Sequence, residues 1–214
     1  MSILTNISEL LQQGQASQVK LLVQQALGEG IAPEKVLNEG LMAGMDIIGK
    51  KFKNDEVFIP EVLISARAMN EGIEMLKPHL MAAGIASRGT AVIGTIKGDL
   101  HDIGKNLVKM MLESKGMTVI DLGVDVPPQK FYEAAQENHA DIVCLSALLT
   151  TTMNEMKNVV KIFAANNKRE NVKIMVGGAP ITQEFCTAIG ADCYEPDAVS
   201  AAEAALAFCN HTYG

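Results

Sequence analysis

The chain has 214 residues, 48% of them hydrophobic and 20% charged, and its net charge is −7. This length suits one large domain or two small ones, and the acidic balance argues against nucleic-acid and membrane-surface binders, which need a positive face. No apolar run is long enough for a transmembrane helix, and no secretory signal begins the chain. We therefore expect a cytoplasmic protein with four reduced cysteines, without nucleic-acid or membrane partners.

The first 80 or so residues carry the hydrophobic period of helices and no strand pattern. We predict four helices, over 7–12, over 18–27, from Pro33 onward, and from Pro60 to Pro78. The charged stretch 49–56 is predicted to be a loop. Helices of these lengths suggest a four-helix bundle that forms a domain over residues 1–82.

From Thr90 onward, short apolar runs alternate with amphipathic stretches. The predicted strands are 91–96, 118–122, 142–145, 173–176 and a short one near 192–194. The predicted helices are 103–114, 129–138, 153–166, 182–189 and 199–210. This alternation predicts an α/β domain over 90–214, with a five-stranded parallel sheet and helices on both faces. Residues 83–89, which are mostly small, are the predicted linker.

The most informative segment lies between the first predicted strand of this sheet and the helix that follows. It reads Gly98-Asp99-Leu100-His101-Asp102-Ile103-Gly104. Ligands of open α/β sheets bind at this end of the strands, and a carboxylate beside a histidine is how proteins fix an imidazole as a metal ligand. With Lys105 the segment superficially resembles a phosphate-binding loop. The glycine spacing is wrong, however, and Asn106 replaces the hydroxyl that binds magnesium, so nucleoside triphosphates are disfavoured.

Two further loops are predicted to converge on the same edge of the sheet. The third strand leads into the hydroxyl-rich run 146–152, and the fourth leads into Gly177-Gly178. The hydroxyls could serve only as a helix cap, through Thr151 or Thr152, and the glycines could form only a tight turn. Alternatively, the paired glycines let an elongated ligand approach the backbone closely. The sequence leaves these alternatives open.

His101 by itself is a poor site for a free metal ion, which needs three or four ligands. No other histidine or cysteine lies near it in the sequence. A metal bound there must therefore bring its other ligands with it, as it does in the macrocycle of a haem or a corrinoid.

These residues match the signature of a known family. Asp99 to Gly104 is similar to the D-x-H-x-x-G motif of cobalamin-binding domains, and the later loops resemble their S-x-L and G-G elements at Ser146-Ala147-Leu148 and Gly177-Gly178. Upstream, the resemblance to the helical cap of methyl-carrying corrinoid proteins rests on Gly40-Leu41-Met42, Phe58-Ile59-Pro60-Glu61 and Ser65-Ala66-Arg67-Ala68-Met69. Over about residues 5–210 the chain resembles a corrinoid protein of an anaerobic methyltransferase system and the cobalamin-binding module of methionine synthase. The implied fold is a helical cap followed by a Rossmann-like, flavodoxin-like sheet.

The resemblance implies cobalamin as the cofactor and assigns the chemistry of the site to three residues. His101 would be the axial ligand of cobalt, Asp99 would hydrogen-bond it, and Thr152 would complete a proton relay. Further implied contacts to the cofactor are Gly98, Leu100, Asp102, Ile103, Gly104, Ser146, Leu148, Thr150, Gly177 and Gly178. Phe58 and Met69 would cover the upper corrin face, although helical spacing also predicts Met69 as a core residue.

The implied function is that of a methyl carrier and not of a complete enzyme. It would accept a methyl group on cob(I)alamin from a methylamine, methanol or an aromatic methyl ether through one methyltransferase. A second methyltransferase would pass the group to tetrahydrofolate or a thiol, and a reductive activating protein is a further implied partner. Two alternatives stay open, the cobalamin-binding subunit of an adenosylcobalamin-dependent mutase and a cobalamin-sensing regulatory module.

Overall fold

The chain forms two compact units, residues 1–86 and 87–214, in a computed structural model. The structure describes residues 2–166 and 172–212, so the outer ends of the two predicted domains, Met1 and 213–214, lie outside it. No helix in the described part is long and apolar enough to cross a membrane.

The first unit consists of helices only, within its described residues. Their bounds are α1 (Ile3–Gln12), α2 (Ala16–Gly28), α3 (Pro33–Lys35), a π-helical segment (Val36–Met42), α4 (Ala43–Lys53) and α5 (Ile59–Ala82). Since α3, the π-helical segment and α4 follow one another without a break, the unit has four helical stretches. Buried apolar side chains on these stretches, among them Ile7, Leu11, Leu41 and Leu76, form its core.

Two helix boundaries in this unit differ from the predictions. The stretch 49–56 is not a loop throughout, because α4 continues to Lys53. Its lysines lie in the last turn of the helix, where cations are stabilised by the helix dipole. Pro78 does not end α5, which continues to Ala82. Proline has no backbone N–H, so the carbonyl oxygen four residues before Pro78 loses its helical hydrogen bond. Pro78 is exposed, so water can bind that carbonyl oxygen instead.

The second unit alternates strands and helices, as predicted. The strands are β1 (Thr90–Thr95), β2 (Thr118–Asp121), β3 (Ile142–Ser146), β4 (Lys173–Gly177) and β5 (Cys193–Tyr194). The helices are α6 (Ile103–Ser114), α7 (Pro128–Glu137), α8 (Asn154–Ala165), α9 (Gln183–Ile189) and α10 (Ala198–Thr212). All strand pairs are parallel, in the order β2-β1-β3-β4-β5, which confirms the predicted fold class.

Successive residues of the central strands point to opposite faces of the sheet, and the residues on both faces are apolar. One face presents Val92, Val143 and Ile174, which share a core with Phe131 of α7 and Phe163 of α8. Helix α6 contacts β1 and β2, and α10 packs against α6. Helices therefore cover the sheet on both sides, which explains why its strands read as continuous apolar runs.

The strand order determines where a ligand can bind. Connections leave in opposite directions from β1 and β3, and in a sheet of this order the crevice outside their carboxyl ends is the ligand site. The register places Thr95 at the end of β1 beside Ser146, and Ser146 beside Gly177. The three loops singled out in the sequence therefore begin side by side at one edge.

Candidate functional site

The loop between β1 and α6 is fixed at this edge by hydrogen bonds to β1 and β3. The Thr95 hydroxyl donates to the carbonyl oxygen of His101 at 2.8 Å, and the backbone N–H of Ile96 donates to the carbonyl oxygen of Ser146 at 3.1 Å. The first bond ties the backbone of His101 to the strand, and the second ties the start of its loop to the end of β3. The position of His101 thus depends on two strands.

The imidazole of His101 is oriented by Asp99. Nδ1 of His101 lies 2.7 Å from Oδ1 of Asp99, which also accepts the backbone N–H of His101 at 3.1 Å. The Asp99 side chain is fully buried, whereas the His101 side chain is 52% exposed. A carboxylate is an acceptor, so Nδ1 carries the proton and Nε2 keeps its lone pair for a metal.

The second oxygen of Asp99 accepts hydrogen bonds from the loop after β3. The backbone N–H groups of Leu148 and Leu149 donate to Oδ2 at 2.7 and 3.0 Å, and the hydroxyl of Thr152 lies 3.3 Å from it. Burial opposes ionisation of Asp99, but the bonds from Leu148, His101 and Leu149 outweigh it and hold the pKa of this carboxyl well below its usual range. Asp99 is therefore a fixed anion at neutral pH.

Thr152 contacts Asp99 and does not cap the next helix. Its hydroxyl also lies 3.0 Å from the carbonyl oxygen of Leu149, so its single proton has two competing acceptors. Helix α8 begins at Asn154, and the preceding Met153 makes no side-chain capping bond. The interpretation of Thr151 or Thr152 as an N-cap is therefore wrong, and Thr152 instead extends the His101–Asp99 pair to three members.

The glycines at this edge divide into two kinds. Gly178, with φ +125°, must be glycine because a Cβ would overlap the carbonyl oxygen of Ala147, and it begins a turn closed by a 2.9 Å bond from Ile181. The tight-turn interpretation therefore holds for Gly178. At Gly104 and Gly177, by contrast, a Cβ would meet no other described atom within 4 Å. These two glycines leave open space that a ligand can fill.

Apolar side chains are exposed around His101. Leu100 and Ile103 are each 71% exposed, and Leu148 and Leu149 from the opposite loop are also exposed. Exposed apolar side chains grouped around one histidine are typical of a ligand site. Within residues 2–166 and 172–210, no three His, Cys, Asp or Glu side chains form a group that could hold a bare ion. These residues fit a large apolar macrocycle whose metal needs only one protein ligand.

The remaining predicted contacts lie as follows. Ser146 ends β3 and is half-buried, Thr150 is exposed, and Asp102 is exposed and accepts a hydrogen bond from Nδ2 of Asn106 at 3.1 Å. In the first unit, Phe58 is exposed directly before α5, whereas Met69 is only 2% exposed and lies in the core, as its helical spacing predicts. The contacts of these residues with a cofactor stay predictions.

Sequence reasoning missed two residues that hold this site together. Lys105 on α6 is 3% exposed, and its Nζ lies 2.7 Å from both carboxylate oxygens of Asp121 at the end of β2 and 2.7 Å from Oδ1 of Asn106. Asp125, in the loop after β2, accepts a hydrogen bond from Gly98. The sequence could have indicated Asp125, because in a parallel sheet the loop after β2 starts at the same edge as the loops after β1 and β3.

Replacing Asp99 by Asn tests the role of the buried anion. Both oxygens of Asp99 accept hydrogen bonds from N–H groups. In asparagine an NH₂ group replaces one of these oxygens, so at least one N–H loses its acceptor. We expect the cofactor-free Asp99→Asn variant to lose about 1–3 kcal/mol of unfolding free energy, measured by urea denaturation. The control is Asp102→Asn, at an exposed position in the same loop. Equal stability of the two variants would contradict the assigned role of Asp99.

Both units match models of known protein families. The model of a family described as B12 binding domain matches residues 89–206, and a second model with the same description matches residues 3–77. Dimethylamine corrinoid protein 1 of Methanosarcina acetivorans is 46% identical over 84% of each chain, and trimethylamine corrinoid protein 1 of the same organism is 43% identical over 86% of this chain and 88% of its own. The solved methanol:cobalamin methyltransferase complex MtaBC from Methanosarcina barkeri superposes with a TM-score of 0.88 at 31% identity, covering 97% of this chain and 80% of that one.

Proposed function

The chain belongs to the family of B12-binding corrinoid proteins, and from this premise we propose that it carries methyl groups between two methyltransferases. The observation that supports this most strongly is the half-exposed imidazole of His101, whose Nδ1 is held by a buried carboxylate. Bound cobalamin supplies a cobalt centre that accepts and releases a methyl group, while the protein supplies ligation, orientation and shielding.

We propose that Nε2 of His101 would bind the cobalt of the cofactor. Asp99 fixes the tautomer by accepting the Nδ1 proton, and a carboxylate in this position raises the basicity of the ligating nitrogen. The tail of the cofactor is assigned to the groove between the loops after β1, β3 and β4. Its residues are Gly98, Leu100, Asp102, Ile103, Gly104, Ser146, Leu148, Thr150, Gly177 and Gly178. The open space at Gly104 and Gly177 supports this assignment.

Thr152 is assigned the outer position of the relay. Its hydroxyl lies within hydrogen-bond distance of both Oδ2 of Asp99 and the carbonyl oxygen of Leu149. A hydroxyl with two acceptors can donate to either of them, and this choice changes the negative charge that Asp99 presents to His101. Thr152 thereby adjusts the charge felt by the imidazole without a change in the fold.

We propose a methylamine as the methyl donor. The relatives named for dimethylamine and trimethylamine are 46% and 43% identical to this chain, whereas the structure named for methanol is 31% identical. The partners are then a methylamine-specific methyltransferase, a second methyltransferase for the acceptor and a reductive activating protein. Phe58, exposed before α5, is proposed to shield the upper face of the cofactor.

The test is reconstitution with cobalamin followed by a donor assay. We expect the purified protein to bind about one cobalamin per chain. After treatment with a strong chemical reductant, which brings the bound cobalt to Co(I), and with methyl-labelled donor and the matching methyltransferase, we expect about one equivalent of label to become protein-bound. Separate reactions would contain methyltransferases specific for monomethylamine, dimethylamine, trimethylamine and methanol, with cofactor-free protein as the control. Absence of cobalamin binding would refute the function, and label from methanol alone would refute the proposed donor.

A further inference from the structure

Asp125, in the loop between β2 and α7, holds the loop after β1 at two points. Its Oδ1 accepts the backbone N–H of Gly98 at 2.7 Å, and its own backbone N–H donates to the carbonyl oxygen of Asp99 at 3.0 Å. These two bonds lie on either side of the peptide that joins Gly98 to Asp99. They therefore fix that peptide directly before the side chain that orients His101.

Asp125 is itself held in place by its neighbours. The backbone N–H of Thr95 donates to the carbonyl oxygen of Gly123 at 2.9 Å, and the backbone N–H of Val126 donates to the carbonyl oxygen of Thr95 at 3.0 Å. Asp125 has φ +53°, a left-handed conformation that Asp and Asn adopt more readily than most residues. The loop after β2 is thus tied to the end of β1 on both sides of Asp125, which gives the carboxylate a fixed position.

The segment that Asp125 holds needs such a support. Gly98 has φ +84°, and glycine has the largest conformational freedom of any residue. The bond from Gly98 to Asp125 therefore restricts a flexible point that lies one residue before Asp99.

We propose that Asp125 is a positioning residue for the cobalt ligand: it fixes the Gly98–Asp99 peptide so that Asp99 holds His101 in one orientation. The inference rests on the proposed role of His101 as the axial ligand. Asp125 touches neither the imidazole nor the cofactor in this account. It acts through the backbone of the loop.

Three variants separate the carboxylate from the backbone conformation. Asp125→Gly removes the carboxylate and adopts the left-handed conformation without strain. Asparagine has an acceptor oxygen and tolerates the left-handed conformation, so Asp125→Asn should retain the wild-type exchange rate and spectrum. Asp55→Gly is the matched control, because Asp55 has φ +58° in a turn of the first unit.

The first measurement uses the cofactor-free protein. In Asp125→Gly we expect the backbone N–H of Gly98 to exchange with solvent roughly tenfold faster than in wild type, as measured by NMR; a factor of ten corresponds to about 1.4 kcal/mol. Asp125→Asn and Asp55→Gly should leave this rate close to that of wild type. An unchanged rate in Asp125→Gly would overturn the proposal.

The second measurement reads the ligand directly. The bound Co(II) cobalamin carries no isotope label, so a nitrogen ligand from ¹⁵N-labelled protein gives a doublet, whereas the cofactor's own ¹⁴N base would give a triplet. With ¹⁵N-labelled protein we expect electron paramagnetic resonance to show doublet splitting in wild type, Asp125→Asn and Asp55→Gly. The doublet should be weakened or lost in Asp125→Gly. A full doublet in Asp125→Gly would overturn this inference alone. No doublet in wild type would overturn the assigned ligand and this inference with it.

Discussion

His101→Ala is expected to abolish nitrogen coordination from the protein to cobalt while leaving the fold and cofactor binding in place. The backbone N–H at position 101 would still donate to Asp99, whose other oxygen keeps its bonds from Leu148 and Leu149. The apolar side chains around the site also remain. The measurement is the ¹⁵N splitting on bound Co(II) cobalamin in ¹⁵N-labelled protein, which we expect to fall from full intensity to none.

The matched control is His139→Asn, in the loop before β3. His139 is exposed and has φ +49°, a conformation that Asn tolerates, so this variant removes a histidine without straining the backbone. Its spectrum should equal that of wild type. If His101→Ala kept the splitting, another nitrogen would be the ligand and the assignment of His101 would be wrong.

Lys105→Met is expected to lower the free energy of unfolding by about 3 kcal/mol. Removing one partner of a buried ion pair leaves the other charge uncompensated, which costs about 3–5 kcal/mol. We expect the lower end of that range, because Asp121 is 20% exposed and Lys109 lies 3.4 Å from it. Urea denaturation of the cofactor-free protein measures the loss. Lys161→Met, at an exposed position on α8, should change stability by less than about 0.5 kcal/mol.

A second substitution separates the effect of charge from that of packing. Adding Asp121→Asn to Lys105→Met removes the buried charge but keeps an acceptor for the backbone N–H of Gly123, which lies 2.9 Å from Oδ1 of Asp121. We expect the double variant to regain part of the lost stability. A double variant as unstable as Lys105→Met would show that packing, and not the uncompensated charge, causes the loss.

The loss in Lys105→Met should also depend on pH. Burial opposes ionisation of Asp121, but hydrogen bonds from Lys105 and Gly123 outweigh it and lower the pKa of this carboxyl. A lowered pKa stabilises the fold above the unfolded-state value, about 3.9, and this contribution disappears as pH falls through the folded-state pKa. The variant lacks much of this contribution, so its stability should approach that of wild type as pH falls below about 4. A constant difference from pH 7 to pH 3 would contradict this account of Asp121.

Much of the fold followed from local patterns in the sequence. Hydrophobic periodicity reports which face of a segment is buried, and this property depends on residues within a few positions of one another. It located the five strands to within about two residues and identified the helical first unit. It failed where tertiary context outweighed local signals, at the charged end of α4 and at Pro78 in α5.

The sequence by itself determined the loop after β1, with Asp99 two residues before His101, because a contact at that spacing is local. It could not determine what surrounds Asp99, since Leu148, Leu149 and Thr152 lie about 50 residues away and reach it only because β1 and β3 are neighbours. The tertiary structure likewise decided that Lys105 is buried against Asp121 and that Asp125 holds Gly98. The physical reason is that strand order is set by how distant segments pack on both faces of the sheet, and no periodicity within one segment carries that information.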